Sequence, residues 1–156
     1  MQNQPVLNRL DLKITLSVLI TIGLSWIIPW LSPLPAAISA LLCVQGQGVA
    51  SLKAGWNRLL ATLIGGILGA IVALTYTKWQ AHWLLFLQLL VTIFLTLWLS
   101  KIVKLPPFIS RIAVLTLLVV IYVGEDHSLA YVVYRWLATL VGAVVAWLVS
   151  LSLKND

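Results

Sequence analysis

The stretch from Trp56 to Leu74, WNRLLATLIGGILGAIVAL, returns 77 positions later as VYRWLATLVGAVVAWLVSL. Arg58, Leu60, Ala61, Thr62, Leu63 and Gly65 recur in register as Arg135, Leu137, Ala138, Thr139, Leu140 and Gly142. Apolar bias alone would not bring back an arginine and a threonine at matched positions, so the chain is read as a duplication and must build one helical unit twice. Both copies carry small residues every four positions, Ala61, Gly65 and Gly69 matched by Ala138, Gly142 and Ala146. Such ladders let helix backbones approach closely in lipid, and these six residues are assigned to helix packing. Both copies are expected to open on their arginine, where unpaired N–H groups and the helix dipole disfavour a cation. Two cationic helix starts would suit an anion.

A chain of 156 residues that is 62% hydrophobic and only 9% charged belongs with integral membrane proteins. Seven of the eight tryptophans stand near the ends of apolar runs, as interfacial anchors do; Trp147 is the exception. In a soluble protein the net charge of +6 would point to nucleic acid. Here the basic residues fall between apolar runs, so topology explains them and no nucleic-acid partner is expected. Cys43, the lone cysteine, sits in an apolar run and cannot form an internal disulfide. The opening resembles a signal peptide, but its apolar run is long enough to span and is expected to be retained.

The expected fold is all-α and polytopic, a single membrane domain over 1–156, with one repeat in about 1–79 and a second in about 80–156. Six apolar runs are drawn, Ile14 to Leu31, Ala36 to Ala50, Leu59 to Tyr76, Trp83 to Leu99, Phe108 to Gly124 and Val132 to Leu153. Several are short for a span. With the N-terminus inside, eight basic residues are cytoplasmic, and only Lys78 and Arg135 lie outside. Both termini are then cytoplasmic in a multi-pass protein of the inner (plasma) membrane. Three helices per half turn the second copy upside down, an inverted repeat. The third and sixth helices match in register, whereas the first and fourth are expected to align only with a shift of about eight residues.

The four acids and two histidines stand at span ends, in tails or in loops, so no acid, base and nucleophile can be assembled. The chain is read as no enzyme, without metal or cofactor; Asp126 and His127 alone do not make a metal site. No carboxylate or histidine lies within a span to couple protons. The informative polar residues are Gln45 and Gln47 in VQGQG, where a broken helix would expose donors and carbonyls, unless the glutamines merely glue helices. Gln88, Thr92, Thr96 and Ser100 recur at four-residue spacing and would either line a path or pack against the short second helix, with packing the favoured reading. The candidate substrate-binding residues are Arg58, Arg135, Gln45, Gln47, Thr62 and Thr139. The alternative for the arginines is topological.

The stretch AAISALLCVQGQGVASLKAGWNRLLATLIGGILGA resembles the membrane domain of the fusaric acid resistance protein-like (FUSC) and aromatic acid exporter families. Their pattern is an apolar helix, a short polar break, then an arginine and a Gly-Thr-x-x-Gly helix. It is met by Pro35, Ala36, Gln45, Ser51, Leu52, Gly55, Arg58, Thr62, Gly65 and Gly69, with Ala61 in place of the usual glycine. The resemblance implies a membrane transporter or channel domain for organic anions, in relatives associated with efflux of aromatic carboxylic acids. The alternative is a non-transporting membrane scaffold or subunit. Expected partners are the lipid bilayer, further copies of the chain in a homo-oligomer, and an organic anion.

Overall fold

The computed structural model describes residues 8–79, 82–123 and 129–153. The acidic pair Glu125 and Asp126, together with His127, lies outside the described residues. Among the described residues six helices follow one another: α1 (Arg9–Ile27), α2 (Pro33–Cys43), α3 (Gly48–Trp79), α4 (His82–Ile102), α5 (Pro107–Tyr122) and α6 (Leu129–Ser152). α1, α3, α4 and α6 are long and apolar enough to cross a membrane, while α2 and α5 are shorter apolar helices. Local chemistry sets several boundaries. The backbone N–H of Asn8 donates to the Asp11 carboxylate at 2.9 Å, closing the first turn of α1. Pro33 and Pro107 occupy first-turn positions of α2 and α5, where their missing N–H groups cost nothing.

The helices form two compact units. The first combines α1 and α2 with α3 up to Trp56 and α6 from Leu137; the second combines α4 and α5 with the remaining parts of α3 and α6. In the first, α1 packs on α2; in the second, α4 packs on α5.

α3 extends back through the gap between the second and third apolar runs. The segment SLKAGWNR is helical throughout, so α3 begins at Gly48, ten residues before Arg58. It contains no proline, and Gly55 fits because a side chain there would meet Ala143 at 3.0 Å. The second apolar run is in turn broken, with α2 ending at Cys43 and residues 44–47 non-helical.

Small residues set the closest contacts. In the second unit, a Cβ added to Gly65 would fall closer than 3.0 Å to the Ala113 carbonyl of α5. In the first unit, one added to Gly142 would do the same to the Ala36 carbonyl of α2. Gly142 is the repeat counterpart of Gly65, and Ala113 stands the same 77 positions from Ala36. Each half therefore sets its third helix on the short second helix of the other half. Gly55 against Ala143 and Gly66 against Val132 exchange under the same shift.

The first and fourth helices both bury polar residues at four-residue spacing. Lys13, Ser17 and Thr21 are buried on α1, as Thr96 and Ser100 are on α4. A shift of 75 positions superposes Lys13, Ser17, Thr21 and Ser25 on Gln88, Thr92, Thr96 and Ser100. The hydroxyls donate to carbonyls one turn back, as in Thr21 to Ser17 at 2.6 Å and Ser100 to Thr96 at 2.7 Å. An apolar helix can bury them because their donors are satisfied within it.

These contacts separate the glycines by role. Gly65→Ala and Gly142→Ala should each lose about 1 to 3 kcal/mol through overpacking against backbone. Gly23→Ala, with nothing within 4 Å of its new carbon, should be neutral or stabilised by about 0.5 to 1 kcal/mol. Thermal unfolding in detergent checks the order; equal midpoints for all three would contradict it.

Candidate functional site

Among the charged residues, the interior cations stand out. Arg58 lies within α3 and is only 3% exposed. Thr62, one turn on and also buried, donates from Oγ1 to the Arg58 carbonyl at 3.0 Å. Arg135 lies in the second turn of α6, half-buried, and donates from Nη1 to the Tyr131 hydroxyl at 3.4 Å. Neither arginine opens its helix. The expectation of two cationic helix starts is therefore corrected, because α3 starts at Gly48 and α6 at Leu129. What remains is a pair of guanidiniums in helix interiors, and Arg58 is almost wholly withdrawn from solvent. Groups of this kind are costly to hold in an apolar environment and occur where function requires them.

Arg58, Thr62 and Arg135 belong to the second unit, and Gln45, Gln47 and Thr139 to the first. Thr139 is buried, and its carbonyl accepts from Ser39 Oγ of α2 at 2.7 Å. The side chains of Gln45 and Gln47 are exposed, and it is their backbone that is engaged. The N–H of Gln45 donates to Ser51 Oγ at 2.9 Å, and the N–H of Ser51 donates to the Gln47 carbonyl at 3.0 Å. Ser51 Oγ lies 2.8 Å from Ser150 Oγ of α6, whose hydroxyl reaches the Gln45 carbonyl at 3.5 Å. The Lys13 ammonium of α1 donates to the Gly46 carbonyl at 3.2 Å.

This helix break is thus held by α1, the opening of α3 and the end of α6, with its carbonyls answered by hydroxyls and one ammonium. Irregular backbone is tolerated at membrane depth on those terms. Lys13 is the functional candidate that the sequence reading missed. It was counted among cytoplasmic basic residues, yet only 1% of it is exposed. The signal was present in the four-residue spacing of Lys13, Ser17, Thr21 and Ser25, which repeats that of Gln88 to Ser100. Among the described residues, no group of three or more potential metal ligands occurs.

A tie between a buried ammonium and a carbonyl is worth about 1.5 to 3 kcal/mol. Lys13→Met should therefore raise amide hydrogen exchange across residues 44–48 at least tenfold while leaving α4 and α5 protected. Exchange unchanged at 44–48 would show that the tie does not hold the break.

Comparison with known proteins places these features. The family model described as aromatic acid exporter family member 1 matches residues 8–153, which takes in all six helices. No curated protein and no solved structure matches the chain. With interior arginines, a braced helix break and four helices able to cross a membrane, the chain is a multi-pass membrane protein that belongs to the aromatic acid exporter family, a family of transporters rather than enzymes.

Proposed function

We propose that this domain moves organic anions, aromatic or other carboxylic acids, across the membrane, and that Arg58 and Arg135 contact the carboxylate. The burial of Arg58 inside α3 carries the reading. A guanidinium offers a planar fork that matches a carboxylate in bidentate fashion, and its strength grows where water is scarce. Membership of an exporter family supports the direction of transport, efflux. Thr62 and Thr139 follow the arginines by four residues in each repeat.

Inverted repeats accompany this reading. In the first unit the opening of α3 runs antiparallel to the end of α6, with Gly48 beside Leu151 and Gly55 beside Ala143. Repeat-related helices that run in opposite directions support inversion, the arrangement that places transport sites near the bilayer centre. Six crossings belong to this reading, with α2, which rises roughly 16 Å, shorter than the hydrocarbon core of about 30 Å. Both termini are then cytoplasmic by the basic-residue balance. Single cysteines introduced at Lys53 and Lys101 in a Cys43→Ser background should label from the cytoplasmic side, and one at Lys78 from the outer side; reversed labelling would refute this orientation.

The competing reading, a scaffold whose arginines only set topology, makes a different demand on charge. Arg58→Lys and Arg135→Lys keep the charge but lose the fork, so each should insert normally and cut benzoate flux in proteoliposomes about tenfold. Arg135→Gln should cut it further, although removal of an outer cation favours correct insertion. Full flux from well-inserted Arg135→Gln protein would favour the scaffold.

A further inference from the structure

Within the first unit, a groove of about 460 Å³ runs between α1 and α6. Leu16, Ile20 and Leu24 form one wall, and Val145, Val149 and Leu153 lie on the other. Leu153 also lines a second cleft of about 170 Å³, whose other walls are Arg9, Leu12 and Lys13. The two spaces therefore share a wall and follow one stripe of α1, in which Leu12, Leu16, Ile20 and Leu24 recur every four residues. One end is basic and the remainder apolar.

Among the described residues, the charges lining the basic end are both positive. Arg9 is exposed at the mouth, and the Lys13 ammonium lies buried beneath, at the Gly46 carbonyl. Asp11, the acid of this turn, directs its carboxylate to the N–H of Asn8. The length is also informative. From Arg9 to Leu24 the helix rises roughly 22 Å, about half the thickness of a bilayer with its headgroups.

We propose that this groove binds one anionic phospholipid, with its phosphate at Arg9 and an acyl chain along the α1 and α6 walls. Charge complementarity selects the headgroup, since basic pockets beside transmembrane helices hold acidic lipids. Apolar length matched to one leaflet selects a lipid over a short soluble anion. Lys13 adds positive charge beneath the phosphate, and Arg9 makes the contact.

Native mass spectrometry of the protein, incubated with equal amounts of phosphatidylglycerol and phosphatidylcholine, tests the site. The wild-type chain should retain phosphatidylglycerol preferentially. Arg9→Gln should lower that retention about fivefold, the effect of one cation near an anionic lipid, and leave phosphatidylcholine unchanged. Ile20→Trp fills the groove and should displace lipid of either kind, whereas Leu19→Trp, at a neighbouring exposed position outside the groove lining, should not. Equal retention of the two lipids, or an Arg9→Gln protein indistinguishable from wild type, would overturn the proposal. So would a dimer that Ile20→Trp dissociates with lipid retention unaltered, because a second copy would then occupy the groove.

Discussion

Apolar helices in lipid have no hydrophobic reason to associate, so how closely two backbones can approach decides which ones meet. In this protein the approach is set by Gly65 against the Ala113 carbonyl and by Gly142 against the Ala36 carbonyl. Neither site has room for a methyl group. The short helices α2 and α5 depend most on this constraint. Being too short to bury much surface alone, each is held by the long glycine-bearing helix of the opposite repeat. The same two-residue-wide buried stripe, Ala61, Thr62, Gly65, Gly66 and Gly69, fixes the rotation of α3 about its axis.

That rotation also accounts for the buried polar groups. Arg58 and Thr62 share the stripe with the glycines, so the contact that closes the helices withdraws the guanidinium from solvent. On α6, Thr139 and Ser150 lie on the stripe of Ala138, Gly142 and Ala146; Thr139 thereby offers its carbonyl to Ser39, and Ser150 offers its hydroxyl to Ser51. Small residues leave room for hydroxyls, and hydroxyls satisfy the backbone of the break. Packing and polarity are one arrangement here. Cations held in helix interiors are among the ingredients from which membrane proteins build ion paths.

Much of this was determined by the sequence alone. The helical class, the duplication and the small-residue ladders follow from spacing, because a helix places every fourth residue on one face wherever it is. The family resemblance followed from the same stretch, and the match over residues 8–153 agrees with it. The arginines were legible as a pair because identity at matched positions needs no coordinates.

Tertiary structure alone decided where those helices begin and which side chains lie inside. Hydropathy treats the charged segment LKAGWNR as a loop, but helix propensity and the Gly55 contact with α6 carry α3 through it. Arg58 consequently moves from a helix start to a helix interior. Lys13 shows the same limit from the other side. One lysine near a span end reads as a topological signal, and only the folded chain shows its ammonium turned inward to the Gly46 carbonyl. Local sequence states which residues share a face; which face meets a neighbour is settled by contacts between segments more than thirty residues apart, and composition carries no record of them.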